Sequence, residues 1–185
     1  MNTRVYLLGA LLIICVQALA LFLFGQPPIC ECGHVKLWEG VVLSAGNSQH
    51  LFDWYTFSHI IHGVLFYALL YFMFPKMPVL TRLLIATSIE AAWEVVENTP
   101  MVIQHYREQA LAQGYTGDSI INSVSDTFAM MFGFFLARQW SVWAMVALAL
   151  FLELWVAYEI RDNLTLNVIN LIHQFDFISV WQIGA

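Results

Sequence analysis

Three glutamates lie within one apolar segment of the sequence, residues 82–105. Glu90, Glu94 and Glu97 are spaced at i, i+4 and i+7, so a helix would place all three carboxylates on one face. A charged group at the centre of a membrane span costs about 2.5–3.5 kcal/mol, so such a stripe must face protein, water, protons or a metal. The spacing therefore predicts a buried polar site around which the rest of the chain is arranged.

Histidines supply a second kind of ligand in the next apolar segment towards the N-terminus. His59 and His62 stand at i, i+3 and share a helix face. Imidazole nitrogens and carboxylate oxygens together suit zinc, iron or manganese, and a bound divalent metal lowers the pKa of a water molecule towards ~7. The predicted metal ligands are His59, His62, Glu94 and Asp126. The predicted catalytic carboxylates are Glu94, Glu97 and Asp126.

Further polar residues are expected to contact a substrate. Asn122 and Asp126 follow Asp118 by one and two helical turns, while Arg107 is suited to a bidentate contact with a lipid phosphate. The predicted substrate-binding residues are Glu90, Asp118, Asn122, His105, Arg107 and Arg161. Structural roles stay open for several of them: Asp118 as a helix N-cap, His105 and Arg107 as interfacial anchors, and Arg161 in an ion pair with Glu159 or Asp162.

A second metal or redox site is expected at Cys30, Cys32 and His34. These cysteines are placed outside the membrane, where thiols tend to oxidise. A disulfide between residues two positions apart closes a very small ring, so the alternative is thiolate ligation of a metal with His34 or His50.

Composition sets the class of protein. Of the 185 residues, 60% are hydrophobic and 11% are charged, whereas soluble domains have about 25% charged residues. The sequence therefore predicts one integral membrane domain over residues 1–185, with membrane lipids as partners and no nucleic acid.

The predicted fold class is all-α, a polytopic membrane helical bundle. Its spans cover about residues 5–24, 57–74, 82–102, 118–137 and 140–160, with an external loop at 25–56 and an interfacial helix in the tail at 163–181. Pro100 is expected to kink or end the third span. The first segment could instead be a signal peptide, but it is longer than the ~7–15 residues of such an apolar region and has no A-x-A site.

Basic residues set the predicted orientation. Lys76, Arg82 and Arg138 flank short turns, which the positive-inside rule assigns to the cytoplasm, so the N-terminus is cytoplasmic and the C-terminus external. The histidines and acids of four spans, Glu153 and Glu159 among them, then lie in the outer halves, while the cytoplasmic halves are almost wholly apolar. This distribution predicts one polar cavity that opens to the external side.

Four strings carry a resemblance to a known family: DWYTFSHIIHG (53–63), EAAWEVVENTP (90–100), GDSIINSVSD (117–126) and IRDNLTLNVI (160–169). They resemble a family of bacterial multi-pass inner-membrane proteins known only as a domain of unknown function, and the likeness covers essentially the whole chain. It implies a multi-pass protein of the bacterial inner membrane, and it brings no activity. In such a membrane the external C-terminus predicted from the basic residues would be periplasmic.

A looser likeness is to VanZ-like membrane proteins. It depends on an aspartate and a histidine that open one span, a glutamate in the next span, and then an Asp-x(3)-Asn-x(3)-Asp-x(6)-Gly pattern formed by Asp118, Asn122, Asp126 and Gly133. The extra His62, the three glutamates and the Ser-Asp pair at 125–126 depart from that pattern. This likeness supports a shared four-helix core rather than a shared function.

Three functions are compatible with the sequence. The first is a metal-assisted hydrolase or transferase that acts on a lipid or envelope substrate. The second is a non-catalytic assembly or scaffold protein whose polar network fixes helix packing without a metal. The third is a small proton-linked transporter, which the apolar cytoplasmic halves disfavour.

Overall fold

The structure is a computed structural model that describes residues 2–184. Over this range the chain forms eight α-helices and one pair of two-residue strands, which confirms the predicted all-helical class. The elements in chain order are α1 (Thr3–Phe24), β1 (Trp38–Glu39), β2 (Phe52–Asp53), α2 (Thr56–Met73), α3 (Val79–Glu97), α4 (Pro100–Arg107), α5 (Ile120–Gln139), α6 (Val142–Ile160), α7 (Leu164–Ile172) and α8 (Asp176–Ile183).

Four helices, α1, α2, α5 and α6, are long and apolar enough to cross a membrane. Each matches one of the five predicted spans to within two residues at either end. The remaining predicted span corresponds to α3, which has 19 residues but carries Arg82 and the three glutamates. Length and composition therefore support four of the five predicted spans.

The third predicted span is two helices rather than one. Helix α3 ends at Glu97, and α4 begins at Pro100, which occupies the first turn of the new helix. Proline lacks a backbone N–H and is tolerated at such a position but not within a helix. The Asn98 side chain donates a hydrogen bond of 2.9 Å to the Glu94 carbonyl and so satisfies the end of α3. The predicted break at Pro100 is confirmed. The single span predicted over 82–102 is replaced by α3 and the start of α4.

Helices α2 and α5 form the closest helix pair. A methyl group added at Gly63 would collide with the Met130 carbonyl, and one added at Gly133 would collide with the Ile60 carbonyl. The two backbones therefore touch, as small residues allow in membrane helix pairs. This contact lies one helical turn after His59 and holds that residue against α5.

Helix α3 packs against α1, α2 and α5. This enclosure explains how an apolar bundle accommodates the glutamate stripe, because Glu90 and Glu94 are 0% and 1% exposed.

Helix α1 is fixed by buried Gln17, whose amide donates to Ser123 Oγ at 2.8 Å and accepts from Thr127 Oγ1 at 2.9 Å. Most other α1 side chains are exposed and apolar, as expected for a lipid-facing helix.

The loop and the tail differ from the sequence predictions. Strands β1 and β2 run parallel within the predicted loop, with Trp38 opposite Phe52. The predicted single tail helix is split into α7 and α8 because residues 173–175 are not helical. Glu153, expected in the polar layer, instead accepts hydrogen bonds from the backbone N–H groups of Leu164 and Thr165 at 3.0 and 3.1 Å, which caps α7.

Candidate functional site

Both predicted histidine ligands contact one carboxylate, that of Glu90. His59 Nδ1 lies 2.6 Å from Glu90 Oε1, and His62 Nδ1 lies 3.1 Å from Glu90 Oε2. His59 and Glu90 are buried, whereas the His62 side chain is 17% exposed. Glu90, predicted as a substrate-binding residue, thus lies between two imidazole rings.

Two more predicted residues flank His59. Glu94 Oε1 lies 3.4 Å from His59 Nδ1, and Asp126 Oδ2 lies 3.9 Å from Nε2 on the other edge of the ring. Both carboxylates are buried. The structure therefore brings all four predicted metal ligands together around the His59 ring.

A second group of carboxylates continues along α3. One ligand oxygen from each of Glu94, Glu97 and Asp118 lies within 4.8 Å of the others. Asp118 is fixed by two donors, because its Oδ2 accepts from Asn98 Nδ2 at 2.7 Å and its Oδ1 accepts from the Tyr115 hydroxyl at 2.8 Å. Asp118 precedes α5, and the N-cap of that helix is Ser119.

Residues with metal-binding side chains converge at three places in the described part of the chain. The groups are His59, His62 and Glu90; Glu94, Glu97 and Asp118; and Cys30, Cys32 and His50. The first two groups are adjacent, since Glu94 contacts His59. The first has the mixed nitrogen and oxygen ligands of zinc, iron or manganese sites, and the second offers oxygen alone.

A cavity of about 220 Å³ opens beside these groups. Its histidine and carboxylate lining residues are His59, His62, Glu97, Asp118, Asp126 and Asp162. Its large apolar lining residues are Trp93, Leu111, Leu164, Val168 and Leu171. Among residues 2–184, neither lysine nor arginine lines it. The cavity therefore combines an acidic, imidazole-bearing surface with an aliphatic one.

Asp53 and Thr56 support the site, and neither was among the predicted site residues. The Thr56 hydroxyl donates to Asp126 Oδ1 at 3.0 Å, and the Asp53 backbone N–H donates to Thr56 Oγ1 at 3.1 Å. Burial raises the pKa of the Asp53 carboxyl to about 6, although hydrogen bonds from the Tyr55 and Ser48 backbone N–H groups oppose this rise. The position of Asp53 just before the histidine-bearing span was the available signal.

Asp162 is a second missed residue, at the end of α6. Its Oδ2 accepts from the Tyr55 hydroxyl at 3.1 Å and its Oδ1 accepts from Gln182 Nε2 at 3.2 Å. Burial raises the pKa of this carboxyl to about 6. Asp162 therefore joins the start of α2 to α8 at the cavity lining, whereas sequence analysis considered it only as a partner of Arg161.

Four of the predicted substrate-binding residues are not part of the cavity lining and contact backbone carbonyls instead. Their partners are the carbonyls of Asn170 for His105, Tyr115 for Arg107, His50 for Asn122 and Trp181 for Arg161. These contacts pack the loops and the tail against the bundle. Asp118 does line the cavity. A role in substrate binding stays a prediction for all of them.

Cys30 and Cys32 are joined by a disulfide, the pairing that ring size disfavoured. His50, rather than His34, lies close enough to the two sulfurs to form a metal-binding group with them. The imidazole rings of His34 and His50 stack with their centroids 5.7 Å apart. A metal at this group would need both cysteines as thiolates, so metal binding stays a prediction for the reduced protein.

Fold and site together define an all-helical protein with four helices that could span a membrane and a buried cluster of histidines and carboxylates. The chain belongs to the family described as Protein of unknown function (DUF2585), whose model matches residues 21–184. The match confirms the resemblance seen in the four sequence strings. It begins near the end of α1, so that helix lies mostly outside it.

Several relatives are similar over nearly the whole chain. A UPF0314 protein of Rhizobium meliloti is 53% identical over 184 residues, covering 100% of this chain and 93% of the relative. A UPF0314 protein of Sinorhizobium fredii is 52% identical over 183 residues, covering 99% and 93%. One from Sphingopyxis alaskensis is 48% identical over 180 residues, covering 97% and 95%. No solved structure matches the chain significantly.

Proposed function

We propose that this protein is a metal-dependent hydrolase or transferase of the bacterial inner membrane, acting on an ester or phosphoester of a lipid or envelope substrate. The N-terminus is cytoplasmic and the C-terminus periplasmic, so the cavity opens to the periplasmic side. The partners are membrane lipids and the substrate itself.

The observation that carries this proposal is the meeting of His59, His62 and Glu90. Their side chains approach within hydrogen-bonding distance, and the cluster borders the cavity through both histidines. Burial of a lone carboxylate is costly unless it is paired, protonated or bound to a metal. A divalent metal such as zinc, iron or manganese would neutralise Glu90 while using both imidazoles as ligands.

The shape of the cavity supports an amphipathic substrate. Leu164, Val168 and Leu171 follow one face of α7 at i, i+4 and i+7 and line the cavity. Other large apolar side chains of the tail, including Ile172 and Phe177, are 80% and 71% exposed, which suits a helix pair lying in the lipid interface. A lipid chain could therefore lie along α7 while its polar head reaches the histidines.

The remaining residues are assigned by position. A bound metal would supply Lewis acidity towards the substrate oxygen and towards a water molecule. Asp126 lines the cavity and lies on the second edge of the His59 ring, with Oδ1 held by Thr56. In hydrolysis, Asp126 takes one proton from water while the water oxygen attacks the carbonyl carbon or phosphorus. The bond to the leaving alcohol oxygen breaks, and Asp126 returns the proton to that oxygen.

Metal analysis of the full-length protein, purified in detergent without chelators, tests the proposal. We expect about one zinc, iron or manganese ion per chain, and at least a tenfold loss in His62→Ala. Glu159→Gln is the matched control, because Glu159 lies on α6 and accepts from Trp155 in the same helix. Wild-type protein that neither retains nor rebinds a stoichiometric metal would overturn the assignment.

Activity is tested in the same preparation after reconstitution into phosphatidylethanolamine and phosphatidylglycerol vesicles. Mass spectrometry of the lipids should reveal a product that forms with the wild type and disappears after chelation or in His62→Ala. A scaffold role predicts a different result: His62→Ala would have lower thermal stability than the wild type, and neither protein would change the lipid composition of the vesicles.

A further inference from the structure

Three carboxylates lie side by side next to the proposed metal site. Glu94, Glu97 and Asp118 lie within 4.8 Å of one another, measured between one oxygen of each. Glu94 and Asp118 are buried, His59 contacts Glu94 alone among the three, and neither lysine nor arginine of residues 2–184 lines the adjoining cavity. Three negative charges so close together repel one another unless protons or a cation balance them.

Glu94 provides a second, independent observation. The residue is 1% exposed, and within residues 2–184 its Oε1 atom has no hydrogen-bond partner. The nearest ring nitrogen, His59 Nδ1, is 3.4 Å from this oxygen but only 2.6 Å from Glu90. A buried carboxylate oxygen without a hydrogen-bond partner is costly, and a cation bound by the Glu94 carboxylate together with Glu97 and Asp118 would offset that cost.

We infer that Glu94, Glu97 and Asp118 bind a second divalent cation next to the histidine site. This inference rests on the proposed function and deepens it. The ligands are oxygen atoms only, which favours a hard cation such as Mn²⁺ or Mg²⁺ over zinc. Asp118 is already positioned for the role by Asn98 and Tyr115, which hold its two oxygens.

The second cation gives a ligand role to two predicted catalytic residues. Glu94, which was also a predicted metal ligand, and Glu97 bind the cation, and Asp126 remains the proton acceptor. Glu97 lines the cavity, so a cation bound to it borders the same space as His59 and His62. Two cations beside one cavity can bind the attacking and the leaving oxygen of a phosphoester separately.

Metal binding to purified full-length protein in detergent tests the inference. The protein is stripped with a chelator, saturated with Zn²⁺ and then titrated with Mn²⁺, and both metals are measured by mass spectrometry and by the Mn²⁺ electron paramagnetic resonance signal. We expect one Zn²⁺ and one Mn²⁺ per wild-type chain. Glu97→Gln should weaken Mn²⁺ binding at least tenfold and keep Zn²⁺, and His62→Ala should do the reverse.

Glu94→Gln is the second variant and should likewise weaken Mn²⁺ binding, since the unpartnered oxygen has no hydrogen bond to lose. Glu159→Gln is the control and should retain both metals. Circular dichroism and gel filtration identify any variant that fails to fold. If both Glu97→Gln and Glu94→Gln fail to fold, the wild-type titration alone decides whether a second cation binds. A wild type that binds Zn²⁺ but no Mn²⁺ would overturn the second site and leave the proposed function intact. Loss of both metals in Glu97→Gln would show one shared site and would also overturn the inference. Absence of any bound metal would instead refute the proposed function itself.

Discussion

Gly63 of α2 and Gly133 of α5 each lie against a backbone carbonyl of the opposite helix, that of Met130 and that of Ile60 respectively. This reciprocal contact is the closest approach of two helices near the site. It sets the distance between His59, one turn before Gly63, and Asp126, two turns before Gly133.

Alanine at either glycine should separate the two helices. Inserting a methyl group into such a packed contact costs about 1–3 kcal/mol, so Gly63→Ala should lower the midpoint of thermal unfolding in detergent and reduce metal occupancy. Gly9→Ala is the matched control, because its added methyl group would lie 3.4 Å from the Leu84 side chain, a more tolerant neighbour. Equal midpoints for Gly63→Ala and Gly9→Ala would contradict the packing described here.

Gln17 should stabilise the position of α1. Gln17→Ala leaves Ser123 and Thr127 of α5 without their amide partner in a buried setting. The loss of such partners costs about 1–3 kcal/mol, which thermal or denaturant unfolding in detergent would measure. Leu19→Ala, at a position that is 57% exposed, should have little effect by comparison. If Gln17→Ala were as stable as Leu19→Ala, the hydrogen bonds of Gln17 to α5 would not contribute to stability.

Asp162 should make stability depend on pH in a defined direction. Its folded pKa is about 6 against an ordinary value of 3.8, because the carboxyl is buried. The folded state therefore keeps this proton at pH values where the unfolded chain has released it, and the free energy of unfolding falls as pH rises from about 4 to about 6. Over this pH range the change is on the order of 2 kcal/mol for this group.

Asp162→Asn should flatten that part of the pH profile, measured as the unfolding midpoint at several pH values. Asp176→Asn, an exposed acid in the first turn of α8, is the control and should keep the wild-type slope. A steeper slope in Asp162→Asn would mean that Asp162 is ionised in the folded protein at low pH.

Asp126→Asn should separate proton transfer from metal binding. The amide oxygen can still accept from Thr56, so the fold and the metal content should change little. Loss of a general base reduces rates by about 10²–10⁴-fold, and product formation in reconstituted vesicles should fall in that range. Normal activity in Asp126→Asn would exclude Asp126 as the proton acceptor and leave Glu97 as the next residue to test for that role.

Helical periodicity predicted much of this architecture. The spacing of Glu90, Glu94 and Glu97 placed them on one face, and the absence of an N–H group in Pro100 marked the end of α3. Periodicity does not give the rotation of one helix against another. For that reason the sequence grouped Glu94 with His59 and His62 but did not identify Glu90 as the residue that both histidines contact.

Residues outside the apolar segments were the hardest to predict. Asp53 and Asp162 lie outside the apolar helices, where no repeat indicates which side of the chain is buried. The Tyr55 hydroxyl that donates to Asp162 is also 107 residues away in sequence. Glu153 looked like a member of the polar layer because it interrupts an apolar span. It caps α7 instead, which only the return of the tail against α6 could reveal.

The enclosure of α3 by α1, α2 and α5 bears on how the protein is made. Placing three acids alone in hydrocarbon is costly, and α5 is synthesised after α3. The acidic face of α3 is therefore fully covered only once α5 has been made and has packed against it. Loss of α5 should leave that face uncovered and destabilise α3.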